Sequence, residues 1–241
     1  MQEKRISVLS VEFDNISKNE AVTSAMALME DYRKTCPYIV TPNPEMIMKC
    51  QDDKEFAKAL SAADLALADG VGVIYGANIL GMPLKEKIPG IDFAGALLYE
   101  MSRKNMSVFL YGSKPGVAQR AGEKLGEKYP GLVIAGTHHG YDDDEEAVVR
   151  RINDAKPDLL FVCLGFPRQE MWLYRNRERL EVKLAAALGG SLDVFSGQVE
   201  RAPGSFQRLG LEWLYRLIKE PSRIARMKVL PVYLMKVMRA K

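Results

Sequence analysis

The chain has 241 residues, 47% of them hydrophobic and 27% charged, with a formal net charge of +3. This is ordinary for a soluble globular protein and long enough for one large α/β domain, alone or with an appendage. No stretch of about 18 apolar residues exists to span a membrane, and MQEKRISVLSVEF lacks a signal-peptide core. Cys36, Cys50 and Cys163 form no CxxC or Cys/His cluster, so free buried thiols in the cytoplasm are expected.

Residues 5–13 alternate loosely and predict a first strand. Ser17 and Glu20 have the spacing of a capping box ahead of AVTSAMALMEDYRK, a helical pattern. The apolar run 38–41 predicts a buried strand, followed by an extended Pro42/Pro44 loop and a short helix over EMIMKCQ. A helix over 53–63 leads into a strand at 64–68. The next stretch, GVGVIYGANILGMPLKEKIPG, reads as an irregular glycine-rich loop long enough to cover a substrate.

A helix follows over 91–104. Residues 107–136 then spell strand, glycine-bearing turn, helix and strand, a Rossmann-like βαβ unit. THHGYDDD leads into a helix ending near Ala155, then a strand at 158–164, a helix over 168–180 and a strand at 184–189. After Arg201-Ala202-Pro203 the composition changes. Residues 207–219 and 222–240 predict two basic amphipathic helices, with Ile224, Met227, Leu230, Leu234 and Val237/Met238 at helical spacing and Pro231 kinking or splitting the second. Residues 207–241 hold nine Lys/Arg and two Glu, a charge of +7 that leaves −4 on the other 206 residues. A basic tail on an acidic body points to an anionic partner. There is no internal repeat or low-complexity segment.

Short apolar runs separated by helical patterns are the signature of buried parallel strands, and in open parallel sheets ligands sit beyond the carboxyl ends. Thr41, Asn43, Asp69, Gly112, Gln169, Ser191 and Asp193 are therefore expected to converge on one crevice. Asp69, ending a strand before two glycines, is a candidate general base whose pKa burial would raise, or else a turn or N-cap aspartate. Thr41 and Asn43 suit sugar hydroxyls or an acetamido group, or form an Asx-type turn. Gly112-Ser113-Lys114-Pro115-Gly116 is either a phosphate-binding turn or a plain tight one. Gly165-Phe166-Pro167-Arg168-Gln169-Glu170 places Gln169 toward the crevice and Arg168 toward a diphosphate, or it is a capped helix with a surface Arg–Glu pair. Gly189-Gly190-Ser191 and Asp193 form a phosphate or ribose turn, or a helix start. His138 and His139 with Asp142, Asp143 and Asp144 make a metal site conceivable; the alternative is that the aspartates open the next helix. No G-x-S-x-G elbow or paired nucleophilic cysteine is present, which argues against acyl-transfer hydrolases.

Taken together, TPNPE (41–45), ADGVG (68–72), PGID (89–92), LYGS (110–113), GYDDDEE (140–146), GFPRQE-x-W (165–172), GGSLDVFSG (189–197), RAP (201–203) and EWLYRLIKEPSRIAR (212–226) resemble the WecG/TagA/CpsF family of bacterial glycosyltransferases over almost the whole chain. The resemblance implies a Rossmann-like α/β domain (1–203) and a basic helical appendage (204–241) that engages the membrane and closes the active site. It implies inverting, metal-independent transfer, without a cofactor, of N-acetylmannosamine from UDP-ManNAc to the 4-hydroxyl of GlcNAc on undecaprenyl diphosphate. That is an early step toward teichoic acid or a related surface polymer, on the inner face of the plasma membrane. Asp69 matches the family's proposed base; Thr41, Asn43 and Gln169 match pocket positions; Tyr141 and Asp193 match positions near the nucleotide sugar. Arg216, Arg223 and Arg226 match appendage arginines that reach the diphosphates. Lys87 stands where the family usually has arginine, which keeps the charge and loses the bidentate fork. Related enzymes also use a uronate or glucose-type donor. A nucleotide-dependent oxidoreductase, which should show GxGxxG, and a non-catalytic membrane-binding module are the readings from other classes. Exposed apolar tail positions permit a homo-oligomer, and no nucleic-acid partner is expected.

Overall fold

The computed structural model describes residues 5–31, 34–219 and 228–241, with the side chains of 208 and 216 outside that description. Among the described residues there are eight strands: β1 (Arg5–Val8), β2 (Val11–Asp14), β3 (Tyr38–Val40), β4 (Leu65–Ala66), β5 (Ser107–Gly112), β6 (Val133–His138), β7 (Leu159–Cys163) and β8 (Leu184–Ala187). The last six form one sheet in the order β4-β3-β8-β7-β5-β6, with every neighbouring pair parallel. This is the expected Rossmann-like α/β architecture.

The apolar runs fill both faces of that sheet. Ile39, Leu110, Leu159, Phe161, Leu184 and Ala186 face one core, shared with α1 (Lys18–Glu30), α5 (Gly90–Ser102) and α6 (Val117–Lys128). Their chain neighbours Tyr38, Val40, Phe109, Tyr111, Leu160, Val162, Ala185 and Ala187 face the other. There they meet α3 (Lys54–Ser61), α7 (Glu145–Ala155) and α8 (Arg168–Asn176). Period-two alternation between two apolar cores is why these strands read as unbroken hydrophobic runs. Helix starts match their local signals. Ser17 Oγ accepts from Glu20 N–H and Glu20 Oε2 accepts from Ser17 N–H (2.6 Å), a complete capping box. Asp144 caps α7 through Ala147 N–H, so the aspartate run does open a helix.

Three expectations are corrected. Residues 5–14 are a hairpin and not one strand, because Leu9 and Ser10 both take positive φ (48° and 70°) and reverse the chain. Residues 207–219 do not form one helix: α10 (Gly204–Arg208) and α11 (Glu212–Lys219) are separated at Gly210, where φ is +70°. The glycine-rich stretch after Asp69 is not irregular throughout, since Val71–Ile79 is a helix, α4. Its glycines serve packing. A Cβ on Gly72 would lie 2.7 Å from Pro44 Cγ, and one on Gly76 would fall on the Tyr233 hydroxyl.

Tyr233 belongs to the final described helix, α12 (Val229–Arg239), and its hydroxyl donates to Gly72 O at 3.1 Å. Tyr233 and Val237 are fully buried in a third core with β1, β2, Val73 and Ala77. Pro231 lies in the first turn of α12, where a missing N–H costs nothing, and residues 222–227, the expected first part of this helix, lie outside the described residues. The expected positions Ile224 and Met227 lie outside the described residues. Between α1 and α4 sits α2 (Pro44–Asp52), capped by Asn43. The short helix α9 (Ser191–Phe195) follows β8.

Gly76→Ala should lower stability by about 1–3 kcal/mol through overpacking against Tyr233. Gly126→Ala, in open space on α6, should raise it by about 0.4–1 kcal/mol. Chemical denaturation of both variants measures this; a neutral Gly76→Ala would mean that Tyr233 is not seated on α4.

Candidate active site

All six parallel strands end at one edge, and the loops beyond them are tied to one another. Asp69 N–H donates to Pro42 O (3.1 Å), joining the β4 and β3 loops, and Ile88 N–H donates to Ala68 O (2.8 Å), adding the segment before α5. Thr41 is buried, with Oγ1 3.5 Å from Ala187 O on β8. Gly189 N–H (3.0 Å) and Gly165 N–H (3.2 Å) both donate to Gln169 Oε1, clipping the β8 and β7 loops together. Ser113 Oγ donates to Asp193 Oδ1 (2.5 Å), spanning from β5 to α9. Gly140 N–H donates to Ser113 O (2.9 Å), and Arg168 reaches Gly140 O (3.2 Å), which brings in the β6 loop.

The sequence-derived residues thus line one edge, in the order set by the sheet. Asp69, half-buried, stands at one end beside Thr41 and Asn43. Ser191, Asp193 and Gln169 occupy the middle, and Gly112 and Tyr141 the other end. Several are engaged differently from the simplest expectation. Asn43 Oδ1 caps α2 through Met46 N–H (3.1 Å), with its Nδ2 unpartnered among the described residues. Gly112 is a close-approach glycine: a Cβ there would fall on the Cys163 carbonyl, and the Ser113 N–H donates to that same oxygen. This supports the tight-turn reading. Ser191 is buried and donates to Leu188 O (2.7 Å), while Tyr141 is 64% exposed. Gln169 does not extend its amide into the crevice, because Nε2 donates to Glu170 Oε1 (2.7 Å) and Oε1 takes the two glycine amides. Nor is Glu170 a surface partner of Arg168: it is 0% exposed.

Sequence reasoning missed an ion network at the mouth. Arg201 grips Asp92 with both terminal guanidinium nitrogens, Nη2 to Oδ2 at 2.7 Å. Its Nε meets Glu212 Oε1 at 3.2 Å. Lys87 Nζ lies 3.9 Å from Glu212 Oε2. Glu212 opens α11, so this network pins the start of the basic appendage to PGID and to Lys87. The available signal was three charged residues inside PGID, RAP and EWLYR, with nothing local to say that they meet. Arg216 lies on α11 with its side chain outside the description, and Arg223 and Arg226 lie outside the described residues. An open cavity of about 480 Å³ adjoins the network, with Lys18, Lys124 and Lys128 on its walls.

His138 stacks with Tyr111 and with His139, and its Nε2 lies 3.0 Å from Asp142 Oδ2. Among the described residues no three His, Cys, Asp or Glu side chains are grouped to hold a metal ion. Cys36, Cys50 and Cys163 are free, and burial pushes each thiol up to about 12, which makes them poor nucleophiles.

The model of the glycosyl transferase WecG/TagA/CpsF family matches residues 6–241. A relative from Staphylococcus aureus strain MRSA252 is 35% identical over 238 residues, covering 98% of this chain and 93% of the relative. One from strain MW2 is 34% identical with the same coverage. Both are named N-acetylglucosaminyldiphosphoundecaprenol N-acetyl-beta-D-mannosaminyltransferase.

Burial pushes the Glu170 carboxyl from an ordinary 4.5 up to about 7. The folded state then holds a proton that the unfolded state has already released. The associated stability is full below pH 4.5 and lost as pH rises through 7. Glu170→Gln should flatten the stability profile across that window and melt above the parent at alkaline pH. A parent profile already flat there would refute this account of Glu170.

Proposed function

Because the chain belongs to the WecG/TagA/CpsF glycosyltransferase family, we propose that it moves N-acetylmannosamine from UDP-ManNAc to the 4-hydroxyl of N-acetylglucosamine on undecaprenyl diphosphate. The observation that carries this reading is the likeness to enzymes named for that transfer, which extends over 98% of the chain at 35% identity. The crevice fits it. The donor's nucleotide lies toward Tyr141, Ser113 and Asp193, and its sugar toward Thr41, Asn43 and Asp69. Strand spacing of about 4.8 Å across six strands gives an extended substrate room along that edge.

In the reaction, the acceptor hydroxyl attacks the anomeric carbon from the face opposite the diphosphate. Asp69 takes its proton as the new C–O bond forms, and the old C–O bond breaks to release UDP with inverted configuration. No cofactor or metal enters this scheme. The charge growing on UDP is met by N–H groups at helix starts and by cations. Lys87, already at the mouth, is one; Arg216, Arg223 and Arg226 are proposed to supply the rest when the appendage closes. Glu212 competes with a diphosphate for Lys87 and Arg201, so acceptor binding and release of the Glu212 contacts are linked.

The protein acts at the cytoplasmic membrane face. No helix among the described residues is long and apolar enough to cross a membrane. Val232, Met235 and Met238 are exposed on α12, which also carries Lys236 and Arg239, an apolar and cationic combination suited to an anionic bilayer surface. The same face permits self-association.

Asp69→Asn should lower transfer by roughly 10²–10⁴-fold while UDP-sugar affinity persists. Unchanged turnover would remove Asp69 as the base. Offered UDP-ManNAc, its uronate and UDP-glucose with a short-chain lipid diphosphate, the enzyme should yield a product with the mass of the ManNAc disaccharide; either other mass reassigns the donor. Reversing Lys236 and Arg239 to Glu should weaken binding to anionic vesicles by about 1 kcal/mol per lost cation, without loss of folding. Binding equal to the parent would move the membrane contact elsewhere.

A further inference from the structure

We propose that Glu170 is a positioning residue of this crevice: its carboxyl fixes the orientation of the Gln169 amide, and through that amide the Gly165 and Gly189 loops. The proposal rests on the transferase reading for its effect on turnover, but its structural core does not.

A glutamine amide has two ends of nearly equal size and opposite hydrogen-bonding character. In the observed orientation Gln169 Oε1 accepts from two backbone donors, Gly165 N–H and Gly189 N–H, and Nε2 donates to Glu170 Oε1. Turned by half a rotation, Nε2 would face two N–H donors and Oε1 would face a carboxyl oxygen. Both glycine bonds would be lost, and with Glu170 ionised the third as well; Gln169 is only 4% exposed, so water cannot replace them. The two glycine N–H groups call for the carbonyl end on their side, and Glu170 secures the other end, because it offers Nε2 an acceptor oxygen whether ionised or protonated.

No other task is visible for this carboxyl. Glu170 is wholly buried, and among the described residues it makes no ion pair and its Oε2 has no hydrogen-bond partner. Such a group is costlier to bury than an apolar side chain of similar size. The Gln169 contact is what it gives in return. Its reach is set by the clip: Gly165 and Gly189 both sit at positive φ (78° and 53°), where the chain turns off β7 and β8. Releasing the amide would leave the Gly165 turn with only the Gln169 N–H to Gly165 O bond (3.1 Å) and the Gly189 turn with only the bonds of Ser191 to Leu188 O. Their N–H groups and the start of α9, with Ser191 and Asp193, would then lose a fixed relation to Asp69.

Glu170→Gln keeps an acceptor for Nε2; Glu170→Met keeps the volume and removes it. Glu170→Met should lower kcat/KM for the UDP-sugar by roughly 10–100-fold, as expected for misplacement of about 1 Å. Glu170→Gln should stay within about threefold of the parent. Gln169→Met should match Glu170→Met, and the double variant should be no worse than either. Amide hydrogen exchange supplies a readout independent of turnover. Gly165 and Gly189 should be slow in the parent and in Glu170→Gln, and fast in Glu170→Met, while Leu159–Cys163 stay protected throughout. Additive losses in the double variant, or unchanged protection of the two glycines in folded Glu170→Met, would overturn the proposal. If Glu170→Met does not fold, the parent decides: fast exchange at both glycines refutes the clip, and slow exchange there and in Glu170→Gln supports it. Protection that follows this pattern without sugar transfer by the parent would refute the transferase reading and leave the clip standing.

Discussion

Covering a parallel sheet on both faces confines its chemistry to its rim. Side chains of β3, β5, β7 and β8 alternate between two apolar cores, so polar groups appear only where strands stop. Parallel pairing then puts all the carboxyl ends together. The loops there must satisfy their own backbone donors and acceptors, and they do so on one another. Pro42 takes Asp69, Gln169 takes Gly165 and Gly189, and Ser113 bridges Cys163, Gly140 and Asp193. Rigidity at the crevice is a by-product of this mutual satisfaction, and it is what a glycosyl transfer needs, since reacting groups must be held before the bond changes begin.

Legibility in the sequence followed distance along the chain. The six parallel strands, the Ser17–Glu20 capping box, the Asp144 cap and the meeting of the crevice loops could be read because their signals are local or periodic. The stretch after Asp69 could not. Its glycines look like loop residues, yet Gly72 and Gly76 make room for Pro44 and Tyr233, and the latter lies 161 positions beyond Gly72. Gln169 was placed at the right edge with its amide in the wrong role, because one of its partners, Gly189, is twenty residues on. The Asp92–Arg201–Glu212–Lys87 network joins three segments whose proximity is purely tertiary.

That network alters the meaning of the charge asymmetry. Two cations at the mouth, Lys87 and Arg201, already face carboxylates, one of which belongs to the basic appendage itself. The appendage therefore brings both a counter-ion and cations to the same place. A diphosphate arriving there would exchange one set of ion pairs for another, and the net gain would be smaller and more selective than a bare cluster of cations would provide.

The seat of Tyr233 on α4 has a geometric consequence. α4 begins two residues after Asp69, and Tyr233 bonds the backbone of its first turn. The helix bearing the exposed Val232, Met235 and Met238 is thereby fastened to the same short rod that follows Asp69. A bilayer touching that outer face would act as a datum plane, with Asp69 at a set altitude above it. The protein would then measure how far a sugar stands off its lipid carrier, and the length of the carrier's polar head would become a criterion of selection alongside the sugar's stereochemistry.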